Sequence, residues 1–334
     1  MAYTTIDDPS AYFQTTLYTG NATDDTAITH GGNSDLQADW VWIKNRDVAR
    51  DHILFDSVRG AGVGIKSNTV AGNASDSTQL QSFDSDGFTV GIENDANENT
   101  KKMVSWSWKE STTAGFDIVS FTGNAGTTQT VSHNLSAVPK VIIIKRLDQN
   151  ANWCVYHESL GGADHNLFLN TTNPTQTDTA IFNNTLPTTS VFSLGNNADA
   201  NGDGAPHIAY VFAEKQGFSK FNKFMGNGNA NGTFVYTGFR PAWVMFTNTA
   251  NGGHWQIYDT KIGASNVVND HLKANSSGAE IVDDANEQID ILSNGFKCRG
   301  TSNNNNNHSG DTYVYLAFAE NPFVTSSGVP TTAR

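Results

Sequence analysis

The sequence predicts an all-β protein made of three tandem β-sandwich-like modules of about 100 residues each. Three observations predict it. A Gly-Asn pair recurs as Gly20-Asn21, Gly123-Asn124 and Gly226-Asn227, with a spacing of 103 residues both times. Four further landmarks follow each pair in one order: an apolar run, an aromatic-to-polar cluster, a step into phenylalanine, and a strand-like run ending in glutamate. Short runs rich in Val, Ile, Phe, Tyr and Trp are bounded by Gly, Asn, Asp and Pro, while helical periodicity over ten or more residues is scarce.

A lead-in over residues 1–19 precedes the first landmark. The first core strands are Trp40-Val41-Trp42-Ile43, Val141-Ile142-Ile143-Ile144 and Trp243-Val244-Met245-Phe246. The Val141 run and the later stretch from Tyr313 to Phe318 are almost continuously apolar, which predicts strands buried on both faces. Pro139 and Pro241 precede such runs, where a strand's first position tolerates a missing N–H. The clusters His52 to Asp56, Trp153 to His157 and Trp255 to Asp259 come next, then Gly87-Phe88, Val191-Phe192 and Gly295-Phe296. Runs ending at Glu110, Glu214 and Glu320 close the modules. The expected modules are therefore 20–115, 116–220 and 221–323, with a Thr/Ser-rich tail over 324–334. Such a period exceeds the roughly 20–50 residues of solenoid units, so beads that fold individually are expected. A second arrangement stands beside it, with the three modules imitating a homotrimer around a pseudo-threefold axis. The hairpins at 93–100, 196–206 and 301–311 diverge most, and the last contains five asparagines, Asn303 through Asn307.

The formal charge of −13, from 20 basic and 33 acidic side chains, argues against binding a nucleic-acid backbone or an anionic membrane surface. Charged residues make up only 16% of the chain, leaving a polar, weakly charged surface of Asn, Thr, Ser and Gly. No apolar stretch reaches membrane-helix length. The first residues lack the basic and apolar parts of a signal peptide, so synthesis in a cytoplasm is the expectation. Cys154 and Cys298 sit at non-equivalent positions and read as two buried free thiols.

Candidate chemistry is weighed copy against copy. Asp199, Asn201 and Asp203, with Gly204, match the first half of a calcium loop, but Tyr210 stands where a bidentate glutamate is needed. A polar hairpin tip is the preferred reading. Glu110, Glu214 and Glu320 read as strand-end carboxylates held by a backbone N–H or a turn. Asp56, His157 and Asp259 are equivalent, and an Asp/His exchange does not suit one shared general base. Lys44-Asn45-Arg46 and Lys145-Arg146 could form a basic ligand site, but the third copy has Thr247-Asn248-Thr249. Trp106 and Trp108 alternate onto one strand face, where Tyr210/Phe212 and Leu316/Phe318 make core the better reading than sugar stacking. Walker loops, dinucleotide fingerprints, nucleophile elbows and zinc spacings do not occur. No catalytic residue and no cofactor is expected.

Four segments together resemble a known family. They are residues 5–15 (from Thr5-Ile6-Asp7-Asp8-Pro9), 39–46 (from Asp39-Trp40-Val41-Trp42), 237–244 (Thr237-Gly238-Phe239-Arg240-Pro241-Ala242-Trp243-Val244) and 313–323 (from Tyr313-Val314-Tyr315). The chain is similar to an uncharacterised repeat domain of virion structural proteins from marine tailed phages, including cyanophages. The resemblance implies a non-enzymatic particle component on the virion surface, made in the host cytoplasm. A tail fibre or tail appendage contacting the host is favoured, with head decoration or a head fibre as the alternative. Expected partners are other tail or capsid proteins and the chain itself as a homotrimer. The rival class is a carbohydrate-binding adhesin that recognises a host surface glycan.

Overall fold

The computed structural model describes residues 2–124, 128–301 and 304–331, so Asn303 of the asparagine run lies outside the described residues. The chain is all-β. Among the described residues the α-helices are single turns of four residues, Asn94–Asn97 and Ala198–Asn201. No helix among them is long and apolar enough to cross a membrane.

Three large antiparallel sheets repeat one strand order. An opening strand (Phe13–Thr19, Phe116–Thr122, Ser219–Met225) lies beside a closing strand (Lys102–Trp108, Pro206–Phe212, Thr312–Pro322). Next comes an inner strand (Trp40–Asn45, Val141–Arg146, Phe239–Asn248), then its hairpin partner (Ile53–Asp56, Cys154–His157, Gln256–Asp259). The registers correspond: Phe13 faces Trp108, Phe116 faces Phe212, and Ser219 faces Phe318. Smaller sheets accompany them. These pair Thr26–Thr29 with Gly87–Val90, Gln129–Ser132 with Val191–Leu194, and Phe234–Tyr236 with Gly295–Cys298.

Alternation along the inner strands feeds two kinds of core. Val41 and Ile43 pack with Phe88 and Val90 of the neighbouring small sheet, as Ile142 and Ile144 do with Phe192 and Leu194. Val244 and Phe246 pack likewise with Val235 and Phe296. The residues between them face the other way, into one central core that draws on all three large sheets. That core holds Trp40, Trp106 and Trp108, then Ile143, Tyr210 and Phe212, then Trp243, Leu316 and Phe318. The almost continuous apolar run at Val141 thus has a cause: both faces of its sheet are covered.

The shared core corrects the expectation of individually folding beads. Aromatic rings cross each junction, with centroids 4.4 Å apart for Trp40–Tyr210, 5.3 Å for Phe13–Phe318 and 5.9 Å for Phe212–Phe318. The accessible surface is 12040 Å². Surface scaling gives about 13,000 Å² for one globule of this mass and about 18,000 Å² for three separate beads of a third of it. The physical reason lies in the small sheets, which cover one face of each large sheet and leave the tryptophan-bearing face to be covered by the neighbours.

Candidate functional site

Several polar residues that stand out in the sequence meet across copies. Asp56, His157 and Asp259 end the three hairpin-partner strands, all buried. Asp56 Oδ2 accepts the Tyr210 hydroxyl at 2.7 Å and Arg59 Nε at 2.6 Å. Asp259 Oδ2 accepts the Thr15 hydroxyl at 2.6 Å and the Trp106 indole N–H at 3.0 Å, and burial raises its carboxyl above the usual range. Trp106 and Tyr210 are counterparts, and the third counterpart is Leu316, which has nothing to donate. The strand end facing that copy is His157, whose Nε2 donates to the Tyr315 carbonyl at 3.2 Å while its Nδ1 accepts the Ser159 N–H. Burial pushes His157 down to about 4, which keeps the neutral, N–H-bearing ring that this bond requires. The Asp/His/Asp exchange therefore tracks the donor opposite.

A second set of bonds crosses the same three seams. The Trp153 indole donates to the Lys66 carbonyl and the Trp255 indole to the Phe168 carbonyl, each at 3.0 Å. At the matching place in the first copy, His52 Nε2 donates to the Lys273 carbonyl at 3.1 Å. Second bonds to first, third to second, and first to third, so the contacts close into a ring. Lys44 and Lys145 serve the same seams. Lys44 Nζ donates to the Ser277 carbonyl at 3.3 Å and Lys145 Nζ to the Val70 carbonyl at 2.8 Å, and burial pushes both ammonium groups down to about 8. The third copy has Thr247 there and keeps only the backbone bond, Gly253 N–H to the Thr172 carbonyl at 2.9 Å, which matches Ala151 N–H to the Val70 carbonyl at 2.8 Å in the second.

The Gly-Asn landmarks tie down the divergent hairpin tips. A Cβ on Gly20, Gly123 or Gly226 would lie 2.2 Å from the carbonyl oxygen of Glu98, Gly202 or His308 respectively. The following N–H of Asn21, Asn124 or Asn227 donates to Oδ1 of Asn97, Asn201 or Asn307 at 2.8, 2.8 and 2.9 Å. The three tip asparagines are fully buried. Their equivalence is hidden in the sequence because the third copy sets Asn307 in an asparagine run, although Asp95-Ala96-Asn97 and Asp199-Ala200-Asn201 are a readable signal in the other two. Of the calcium-loop candidates, Asn201 is thus engaged with Asn124, Asp199 accepts from Asn152 Nδ2 at 2.9 Å, and Asp203 is exposed.

Glu110 and Glu214 sit at the joins between successive copies, whereas Glu320 lies within the closing strand Thr312–Pro322. Glu214 Oε1 pairs with Lys220 Nζ at 2.7 Å, Glu320 pairs with Arg240, and Glu110 meets Asp117. Glu110 and Glu214 also accept the backbone N–H of Ile118 and Phe221, in line with the strand-end reading. Burial, then the Asp117 carboxylate, pushes Glu110 up to about 7. Clefts of about 210, 270 and 260 Å³ open beside Glu320, Glu110 and Glu214.

The third copy also carries a buried polar cluster. His271 Nε2, Gln256 Nε2 and Lys273 Nζ all approach Glu287 Oε2, at 2.9, 2.8 and 3.2 Å. Asp284 lies close enough for the three acid and imidazole groups to share a metal ion. The ammonium of Lys273 already answers the Glu287 charge, so a divalent cation would meet repulsion there.

These seams, joins and tips define a ring of β-sheets whose candidate polar residues act as ties between copies. The chain belongs to the family described as Domain of unknown function (DUF7483), which matches residues 8–322 and so extends over all three large sheets. Comparison with curated proteins and with solved structures finds no match.

Proposed function

We propose that the chain is a non-enzymatic structural component of a phage particle, exposed on its surface, with the tail appendage favoured and head decoration as the alternative. The observation that carries this reading is the closed ring of inter-copy bonds, in which one chain occupies the place of three subunits around a pseudo-threefold axis. Such a ring suits docking onto a threefold or quasi-threefold partner within a particle, and it takes over the role of the homotrimer that the sequence leaves open. The resemblance of the opening and closing segments to virion proteins of marine tailed phages supports the same assignment. So does the spending of Asp56, His157, Asp259, Lys44 and Lys145 on internal ties.

The test is mass spectrometry of purified particles joined to cryo-EM of the intact virion with a labelled antibody against this chain. Density on the tail is expected. Density on the capsid would move the assignment to head decoration, and absence from particles would overturn it. Turnover of a host polysaccharide by the purified chain would overturn its non-enzymatic part.

A further inference from the structure

We propose that the cleft between the lead-in and the third copy is a binding site for a neutral hexopyranose unit of a glycan, with Tyr236 and Phe234 as its stacking surface. This deepens the host-contact reading and rests on it only for its biological setting.

Phe234 and Tyr236 are two residues apart on an edge strand, so their rings project from one face, 45% and 54% exposed. The pairing registers give their counterparts as Ala27 and Thr29 in the first copy and Thr130 and Ser132 in the second. All four are small and exposed, so the framework makes no use of an aromatic ring at these positions. Only the third copy presents two.

A built cleft has Tyr236 in its wall, and Phe234 stands outside it, two positions along the same strand face. The Tyr3 hydroxyl of the lead-in donates to the Gly238 carbonyl at 2.5 Å, and the Tyr236 hydroxyl lies beside the same glycine. Gly238, at φ +84, brings its backbone beneath both phenols, where a Cβ would meet the Tyr3 hydroxyl at 2.8 Å. The cleft holds about 260 Å³ and is also lined by Glu214, Gln216 and Lys220. Glu214 and Lys220 are paired at 2.7 Å, so the wall offers an acceptor and a donor without net charge.

A pyranose ring matches both halves of this surface. Its C–H face stacks on aromatic rings, and its hydroxyls donate to a carboxylate and accept from an ammonium or amide. A charged ligand would favour one member of the Glu214–Lys220 pair and leave the other unanswered. The chemistry therefore selects a neutral sugar.

The experiment is binding of the intact chain to an immobilised panel of neutral and charged glycans, followed by calorimetric titration with the best binder. Phe234→Thr combined with Tyr236→Ser rebuilds the strand as the second copy has it, so the fold has its own precedent for these residues. Saturable binding of a neutral glycan is expected, weakened at least about tenfold in the double variant, with the melting temperature retained. Binding unchanged in the double variant, or no neutral glycan bound at millimolar concentration, would overturn the site. Self-association of the chain that the same variant abolishes would also overturn it, making a second copy the occupant. None of these failures bears on whether the chain is found in particles, which the particle measurements decide separately.

Discussion

Tyr210 carries one hydroxyl across a seam to Asp56, and because both groups are buried the bond has no water to replace it. Tyr210→Phe keeps the ring stacked on Trp40 and removes that donor together with a long contact from Arg59 Nη2 at 3.5 Å. Asp56 retains Arg59, so the expected loss is about 1–3 kcal/mol rather than the larger cost of an unpaired buried charge. Urea denaturation of the variant and the parent measures it, with an unchanged m-value expected because the same surface is buried. A loss below about 0.5 kcal/mol would mean the bond is not a tie. What the sequence offers at this scale is one-sided. Asp56, His157 and Asp259 are legible as equivalent polar strand ends, but the reason for the exchange is whether the partner some 150 residues away in another copy donates or accepts. No local pattern encodes that distance. Burial of Trp106 and Trp108 is legible, because their counterparts are large and apolar in every copy.

Strands and hairpins read more easily than the places where they are tied. Alternating and continuous apolar runs announce the inner and closing strands, since burial on one or both faces leaves a direct mark on composition. Tips and joins depend on single close approaches. At Gly123 a methyl group would lie 2.2 Å from the Gly202 carbonyl, so Gly123→Ala must push the tip away from the opening strand. A destabilisation of about 1–3 kcal/mol is expected, with hydrogen-exchange protection lost first at the Asn124 amide, which Asn201 holds. At the first join the effect is set by pH. Glu110 keeps its proton in the folded chain until about 7, against 4.5 when unfolded. Between those values the folded state binds more protons, so stability falls as pH rises through that window and levels off above it. The group is partly exposed, which makes the slope shallow. Glu110→Gln should flatten this part of the profile, measured as urea midpoints at about pH 5 and pH 8. A variant with the parent's slope would place the titration elsewhere.

Across the whole molecule the question is whether the copies are separable. The period of 103 residues is plain in the sequence, yet closure is not, because a tryptophan-bearing strand face looks the same whether its own module or a neighbour buries it. The central core decides it, since removing one copy would expose the core faces of the other two. The intact chain is therefore expected to melt in a single transition with calorimetric and van't Hoff enthalpies equal, and to scatter with a radius of gyration near 20 Å. A fragment spanning residues 116–220 keeps the small-sheet core of Ile142, Ile144, Phe192 and Leu194 but exposes Ile143, Trp153, Tyr210 and Phe212. It is expected to lack a cooperative melt and to bind an apolar dye, while an equimolar mixture of all three fragments should recover the transition in part. Separate transitions in the intact chain, or a cooperative melt of the lone fragment, would show that the seams join finished domains. In that case a loss at Tyr210 would appear in binding between fragments instead of in folding, which links this measurement to the single-residue one.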